Sequence, residues 1–212
     1  MEIEQTTDFG RVVETAKQMG KPYFTKQLHP DYNDFTESDA FFLLLKDTLG
    51  EFGVRDVGML GVRCENMRPG EFASFFQRHM TRLYGKGEIE PLKPGNLPPV
   101  FHDISGRVAY IGDLFITKPH RGEKGVDKRS LLLLAFVLSN MRWSFDWLYS
   151  FVREGDAEKG RFAMYCFTRT YLCGLLWDDP PDERNDSDYL GCVSREDFTF
   201  LARRMLERPD VF

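Results

Sequence analysis

The spacing of hydrophobic and polar positions changes along this chain, and each change marks a predicted element. Apolar residues recur at helical spacing over Phe9–Met19. Buried strands are predicted at Ala40–Lys46 and Val54–Arg63, joined as a hairpin by a turn with two glycines. An amphipathic helix is predicted over Pro69–Tyr84, because proline suits the first helical turn and apolar residues follow on one face.

The second half of the chain alternates strands with helices. The predicted elements are a strand at Arg107–Thr117, a helix from about Asp127 through Leu138, a strand at Asp146–Arg153, a helix at Asp156–Thr168, a strand at Tyr171–Trp177 and a terminal helix at Phe198–Leu206. Gly85–Pro99 is predicted as a long connection, and Asp178–Asp188 as an acidic, solvated loop. This order predicts a mixed α/β (α+β) sheet flanked by helices, in a single domain spanning residues 1–212.

Composition narrows the class of protein. With 42% hydrophobic and 29% charged residues, the chain is typical of a soluble globular protein. Its 14% aromatic content, including 19 Phe, predicts an aromatic core or an aromatic-lined pocket. The net charge of −5 argues against a nucleic-acid partner. The longest apolar run, Leu131–Leu138, is too short to cross a bilayer, and the start of the chain lacks a signal-peptide pattern, so we expect a cytoplasmic protein without a membrane partner.

The cysteines and histidines give no metal-binding pattern. Neither the cysteines nor the histidines have metal-ligand spacing, and no two cysteines form a C-x-x-C pair. We therefore expect buried free thiols and no metal. The residues concerned are Cys64, Cys166, Cys173, Cys192, His29, His79, His102 and His120.

The most informative stretch is the strand, loop and helix over Arg107–Leu138. A glycine-bearing loop before a helix is a ready anion site, because backbone N–H groups and the positive end of the helix dipole point at it. Cations near a helix start are disfavoured by that dipole, so four of them predict a bound polyanion: Arg121, Lys124, Lys128 and Arg129. Two simpler interpretations stay open: a solvated charged loop, and a strand-to-helix junction in which Asp127 is only an N-cap.

One family has a similar arrangement of residues. The run Asp113-Leu-Phe-Ile-Thr-Lys-Pro-His-Arg-Gly-Glu-Lys-Gly-Val126 resembles the strand and Arg/Gln-x-x-Gly-x-Gly/Ala loop of the GNAT acetyltransferase superfamily. The resemblance covers roughly Ala40 to Trp177. The loop here is one residue longer than the common spacing, and Asp127 stands where the family has Gly or Ala. The family's Asn after the next strand and its Tyr-x-x-x-Gly-Phe ending are absent.

The resemblance implies a fold and a chemistry. The fold is the acyl-CoA N-acyltransferase fold, a mostly antiparallel sheet flanked by helices, with residues 107–177 as the acyl-CoA-binding core. The activity is transfer of an acetyl group from acetyl-CoA to a small-molecule or peptide amine by direct attack. Within the variable N-terminal segment 1–39, Phe9–Asp39 would select the acceptor together with the Gly85–Pro99 connection. Because the family is often dimeric, a homodimer is compatible with the resemblance.

The resemblance also implies which residues hold the donor. The loop backbone would cradle the pyrophosphate, and the strand end would offer backbone groups to the acetyl and pantetheine portions. The implied cofactor-binding residues are Phe115, Ile116, Thr117, Arg121, Gly122, Glu123, Lys124, Gly125, Val126 and Lys128.

Acetyl transfer needs a neutral amine, N–H donors for the oxyanion and a proton for the departing thiolate. Gly112 inside a strand predicts a bulge or a close backbone approach. We predict Asp113 as the general base, or else a structural carboxylate. We predict Tyr165 as the acid, with Tyr171 as the fallback and helix packing as the simpler interpretation. Tyr110 is expected on the face opposite Asp113, because side chains alternate along a strand.

Several side chains have two interpretations. His120 is either a base or an exposed loop residue, and Phe72, Phe75 and Phe76 line an acceptor pocket or belong to the core. Two other functions also stay open. One is a non-catalytic acyl-CoA-binding or protein-interaction module on the same fold, and the other is an acyltransferase with a longer or carrier-bound acyl donor.

Overall fold

A computed structural model describes residues 1–48, 53–85, 91–92, 95, 97–122, 125–178, 180–181 and 186–208. Across these residues, seven strands form one sheet in the order β1-β2-β3-β4-β5-β7-β6. The strands are β1 (Glu2–Thr6), β2 (Ala40–Asp47), β3 (Arg55–Met67), β4 (Gly106–Ile116), β5 (Trp147–Val152), β6 (Arg169–Tyr171) and β7 (Tyr189–Ser194).

Helices cover both faces of this sheet. They are α1 (Phe9–Gln18), α2 (Phe72–Tyr84), α3 (Lys128–Trp143), α4 (Glu154–Ala157), α5 (Arg161–Met164) and α6 (Arg195–Glu207). Single 3-10 turns occur at Pro30–Tyr32, Pro99–His102 and Lys118–His120. None of the described helices is both long and apolar enough to cross a membrane.

The core divides into two layers, one on each face of the sheet. On the first face, α1 and α2 bury an aromatic cluster that includes Phe72, Phe76 and Tyr149. On the second face, α3, α5 and α6 pack against the sheet and bury residues such as Phe136 of α3 and Phe145. Burying a large apolar side chain of this kind contributes roughly 1.5–3 kcal/mol. The high aromatic content is therefore used largely in these two layers.

Pairing along the sheet is antiparallel except between β4 and β5. Those two strands run parallel and pair only from Val108↔Trp147 to Tyr110↔Tyr149. Beyond Tyr110, β4 continues to Ile116, and beyond Tyr149, β5 continues to Val152, without pairing to each other. The two strands therefore diverge and open a cleft in the middle of the sheet.

Most predicted elements are confirmed, with ends shifted by a few residues. The structure corrects the helix predicted at Asp156–Thr168, which is instead the two short helices α4 and α5. Gly160 lies between them with a φ of +71°, a left-handed conformation that ends a helix. It also corrects the strand predicted at Tyr171–Trp177, of which β6 holds only Tyr171. Cys173 has a φ of +49°, which turns the chain out of the strand.

Three further differences concern the ends of the chain and its loops. Strands β1 and β7 were not predicted. In the loop predicted as solvated, Asp188 is buried and Asp186 accepts a hydrogen bond from the backbone N–H of Trp177. Parts of three predicted loops lie outside the described residues: 49–52 of the hairpin turn, most of 86–96, and 179 with 182–185 of the acidic loop.

Candidate active site

The cleft between β4 and β5 forms a cavity of about 790 Å³. Its floor and sides come from the parts of these strands where they diverge, namely residues 110–115 and 150–152. The segment 19–25 after α1 closes one side, and Tyr165 with Phe167 closes another. The ring of Tyr23 lies 5.1 Å from Cζ of Arg153, so a cation–π contact joins two parts of the cleft wall.

A bulge in β4 lies inside this cleft. Gly112 pairs with Gly61 and Phe115 with Met59, so Asp113 and Leu114 together oppose the single residue Leu60. Asp113 has a φ of +57°, a strained conformation for a residue with a side chain. The bulge predicted from Gly112 is therefore present, one residue further along. It interrupts the ladder where the cleft opens.

The carboxylate of Asp113 is fully buried and accepts three hydrogen bonds. Nζ of Lys21 donates to Oδ1 at 2.6 Å, Oγ1 of Thr25 donates to Oδ2 at 2.6 Å, and the backbone N–H of Thr25 donates to Oδ1 at 3.2 Å. The ammonium of Lys21 also donates to the carbonyl of Tyr23. These contacts fasten the segment after α1 to the bulge. The base role predicted for Asp113 stays a prediction.

The bulge also corrects the face predicted for Tyr110. Tyr110 packs in the core layer that α1 contributes to, and Asp113 bonds to Lys21 and Thr25, which directly follow α1. Both side chains are therefore on the α1 side of the sheet. The extra residue at the bulge resets the alternation on which the prediction of opposite faces depended.

The loop after β4 turns tightly, and its polar side chains form hydrogen bonds within the protein. Nε of Arg121 donates to the carbonyl of Ile116 at 2.6 Å, and Cζ of Arg121 lies 5.5 Å from the Phe115 ring. Nδ1 of His120 lies 2.8 Å from Oγ1 of Thr117. The other ring nitrogen of His120 lies 3.2 Å from Oδ2 of Asp47. His120 is thus half-buried and bonded rather than simply exposed.

Asp127 caps α3, as one of the two open interpretations predicted. Its carboxylate accepts from the backbone N–H of Arg129 at 3.0 Å and from the hydroxyl of Ser130. The hydrogen bond from Ser130 is the main reason that the pKa of Asp127 is lowered. The first turn of α3 still lies next to the cleft, because Lys128 lines it.

Lys128 lies near other basic side chains at this end of the cleft. Burial, followed by the nearby charge of Arg161, lowers the pKa of Lys128. The charge of Arg121 acts on Lys128 in the same direction. The described lining has five basic side chains and two carboxylates: Lys21, Lys118, Arg121, Lys128, Arg153, Asp113 and Asp156. Grouped cations of this kind favour an anionic ligand.

Tyr165 reaches the cleft from the end of α5. Its side chain is buried, and burial raises the pKa of its hydroxyl, with the charge of Asp156 adding to the effect. The hydroxyl is therefore protonated at neutral pH and able to donate. Tyr171 does not line the cleft, so of the two tyrosines predicted as acids only Tyr165 lies at this site.

The predicted donor-binding residues divide by position. Phe115, Thr117, Arg121 and Lys128 line the cleft. Ile116 is buried, and Gly122, Gly125 and Val126 form the loop beside the cleft. Glu123 and Lys124 lie outside the described residues. Phe72 and Phe76 belong to the core, and Phe75 lines a different cavity.

Sequence reasoning missed other lining residues: Lys21, Tyr23, Thr25, Ser150, Arg153, Asp156 and Phe167. Lys21, Tyr23 and Thr25 lie in a segment whose mixed pattern carries no periodic signal, so only the fold brings them to β4. No group of three or more His, Cys, Asp or Glu side chains among the described residues could hold a metal ion.

Comparison with known proteins gives a structural likeness only. No model of a protein family matches the sequence, and no curated protein matches it. The crystal structure of Arabidopsis thaliana NAA60 in complex with acetyl-CoA matches with a TM-score of 0.51 at 11% identity, over 91% of this chain and 98% of that one. A variant of spermidine N-acetyltransferase SpeG from Vibrio cholerae matches with a TM-score of 0.50 at 10% identity, over 95% and 99%. The chain therefore has the acyl-CoA N-acyltransferase fold of the GNAT acetyltransferases.

Proposed function

We propose that this chain binds acetyl-CoA in the cleft between β4 and β5 and transfers the acetyl group to an amine. The observation that carries the proposal is the combination of diverging strands, a bulge inside the cleft and a cationic loop at its end. The cleft suits a long ligand with an anionic end. The fold likeness supports acyl transfer as the class of reaction.

The donor would lie along β4. Its phosphates would meet Arg121, Lys128 and the first turn of α3, where N–H groups and the helix dipole favour negative charge. Its pantetheine arm would run past Phe115 and Thr117 toward the bulge. The interrupted ladder at Asp113 and Leu114 would then offer backbone N–H groups to the thioester oxygen as negative charge develops on it.

Two side chains would serve the reaction. The hydroxyl of Tyr165 is kept protonated by burial and would donate its proton to the departing CoA thiolate. For Asp113 the contacts favour positioning over proton abstraction, because three donors already use its two oxygens. In that role it holds Lys21 and Thr25 against β4 and so shapes the acceptor side of the cleft.

The charges of the cleft constrain the acceptor. With more basic than acidic side chains in the described lining, a polycationic acceptor would be repelled by the site. The proposed acceptor is therefore a single amine on a neutral or acidic small molecule or peptide. It would enter beside the segment 19–25, which forms one wall of the cleft.

A non-catalytic acyl-CoA-binding module is the second candidate. The full set of hydrogen bonds on Asp113 favours it, since no free carboxylate stands at the bulge. A longer or carrier-bound acyl donor also fits a cleft of this size with Phe115, Phe151 and Phe167 in its lining.

Release of free CoA separates these candidates. The purified protein is mixed with acetyl-CoA, and separately with a long-chain acyl-CoA, together with a panel of amines that carry neutral, acidic or basic groups. Acetylation predicts thiol release above background with acetyl-CoA and a neutral or acidic amine, and loss of that release in Tyr165→Phe. Binding of acetyl-CoA without thiol release from any amine would favour the non-catalytic module. Thiol release only with the long-chain acyl-CoA would favour an acyltransferase with a longer or carrier-bound acyl donor.

A further inference from the structure

A second cavity, of about 620 Å³, lies at the other end of β3 and β4 from the cleft. One face of α2 contributes Phe75, His79 and Arg82 to it. The end of β3 contributes Arg63 and Glu65, and the segment 33–39 before β2 closes one side. Neither the donor loop nor Tyr165 reaches this cavity, so the proposed acyl transfer does not account for it.

Arg63 is an unusual residue for the middle of a sheet. Only 2% of its side chain is exposed, and its Cζ lies 5.8 Å from the ring of Tyr110. Nη1 lies 3.3 Å from the carboxylate of Glu65, which is 39% exposed. Its Nε is buried and has no hydrogen-bond partner among the described residues. A buried guanidinium with an unmatched N–H is costly, because it has left water without replacing every hydrogen bond.

His79 adds a second unmatched donor. Nη2 of Arg63 lies 2.8 Å from Nε2 of the imidazole, and Nη2 of Arg82 lies 3.3 Å from Nδ1. Burial, reinforced by these two arginines, lowers the pKa of His79 to about 2, so the ring is neutral at physiological pH. A neutral imidazole has one acceptor nitrogen and one N–H, whereas arginine only donates. In one of the two contacts, therefore, an arginine N–H faces the N–H of the imidazole.

The hydroxyl of Tyr149 also interacts with the guanidinium of Arg63, and the other nearby acceptors do not remove the surplus at His79. Arg82 donates to the carbonyl of Tyr32 and to the side chain of Asn33, and it forms no ion pair with any described residue. Asp39 is used within its own turn, where it accepts from Thr36 and Ser38. The described residues around His79 thus provide more N–H donors than acceptors, and a further acceptor with negative charge would balance them.

We propose that this cavity is a binding site for a small organic carboxylate, held by Arg63, His79 and Arg82. A carboxylate supplies two acceptor oxygens and one negative charge, which suit the N–H surplus at His79 and the guanidinium groups of Arg63 and Arg82. Phe35, Phe75 and Trp143 would cover the apolar body of the ligand. A phosphate ester fits less well, because Asp34, Asp39 and Glu65 also line the cavity and would repel a second negative charge.

Calorimetric titration with phenylacetate tests this site on the full chain. Phenylethylamine, which has the same ring with the opposite charge, and inorganic phosphate are titrated in parallel. We expect phenylacetate to bind, and Arg82→Met to weaken it roughly tenfold, the loss that corresponds to one charge-assisted hydrogen bond. Arg82 is exposed, so this variant should fold even if Arg63→Met does not. Arg78→Met is the matched control, because Arg78 is exposed on the same helix and does not line the cavity.

Each other outcome overturns the assignment. If phenylacetate does not bind the wild-type protein up to its solubility limit, or binds equally well to Arg82→Met, the site is wrong. If phosphate or phenylethylamine binds in its place, the ligand class is wrong. A second readout is the ring nitrogen resonances of His79, which should shift on addition of phenylacetate. Arg121→Glu should leave phenylacetate binding unchanged, which distinguishes this cavity from the proposed donor site.

Discussion

The carboxylate of Asp113 lies 2.6 Å from the ammonium of Lys21, although 92 residues separate them in sequence. Both side chains are almost completely buried, with exposed fractions of 0% and 6%. The pair joins the segment after α1 to the bulge of β4. A wall of the cleft therefore depends on one ion pair and on the two hydrogen bonds from Thr25.

Replacing Asp113 by Asn should destabilise the protein by about 3–5 kcal/mol, because it leaves the buried ammonium of Lys21 without its counter-charge. Urea unfolding followed by circular dichroism measures the change. Asp178→Asn, at an exposed position, is the control and should change the free energy of unfolding by less than about 0.5 kcal/mol. A loss for Asp113→Asn as small as that of the control would show that the pair does not hold the segment.

The same variant separates a positioning role from a base role. If Asp113 positions the segment, kcat/KM falls in Asp113→Asn but its dependence on pH keeps its shape. If Asp113 is the base, the acidic limb of the profile disappears. We expect the unchanged shape, because the lone pairs of Asp113 already accept three hydrogen bonds.

Replacing Tyr165 by Phe should lower kcat about 10²-fold and leave the Kd for acetyl-CoA unchanged, because only the proton donor is removed. Since burial raises the pKa of Tyr165, the hydroxyl stays protonated through neutral pH. As this hydroxyl is deprotonated, kcat should fall, and the fall should occur above the ordinary pKa range of tyrosine. The fall should be missing in Tyr165→Phe. Tyr171→Phe is the matched control, because Tyr171 lies outside the cleft. Equal loss of kcat in the two variants would contradict a role for Tyr165.

Replacing Gly125 by Ala should distort the loop that precedes α3. A Cβ at this position would lie 2.2 Å from the carbonyl oxygen of His120, so the backbone itself must move. We expect a destabilisation of about 1–3 kcal/mol together with weaker binding of acetyl-CoA. Gly155→Ala is the control, since a Cβ there meets no atom within 4 Å. Thermal unfolding with and without acetyl-CoA measures both effects, and unchanged binding in Gly125→Ala would remove this loop from the donor site.

Replacing Asp127 by Ala should cost about 1 kcal/mol at neutral pH through loss of the N-cap of α3. The pKa of Asp127 is lowered in the folded protein, so its contribution is present above the pKa of the unfolded carboxyl and is lost as pH falls through the lower folded pKa. The difference between wild type and Asp127→Ala should therefore shrink in strong acid. Asp127→Asn keeps a capping oxygen and should lose less. Urea midpoints at neutral and acid pH check this, and a difference independent of pH would be inconsistent with a charged cap.

Elements with a clear hydrophobic pattern could be predicted from the sequence. Elements interrupted by a local change in backbone conformation could not. The run at Ala40–Lys46 and the loop before α3 carry unmistakable patterns, and both lie where they were expected. Strand β1 is polar at most positions because it lies at the edge of the sheet, where only one neighbour pairs with it. The helix predicted at Asp156–Thr168 was wrong because Gly160 takes a left-handed conformation, which apolar spacing does not report.

The candidate site shows the same limit. Gly112 predicted the bulge, which the structure contains, and the cationic loop predicted an anion site, which stays a prediction; each has a local chemical reason. The ion pair of Lys21 with Asp113 leaves no local signal in the sequence, because it depends on how the segment after α1 folds back on β4. The contact between Arg63 of β3 and His79 of α2 likewise depends on how the chain folds, so the spacing of residues could not predict it or the donor surplus around His79.

The most direct test of the proposed donor site is calorimetric titration of acetyl-CoA into the wild-type protein, Arg121→Glu and Arg203→Glu. Arg121 lines the cleft, whereas Arg203 is an exposed arginine on α6 and serves as the charge-matched control. The proposed donor site predicts binding by the wild type and by Arg203→Glu, and a loss of roughly tenfold or more in Arg121→Glu. Failure of the wild type to bind acetyl-CoA, CoA or a long-chain acyl-CoA, or equal binding by all three proteins, would contradict it.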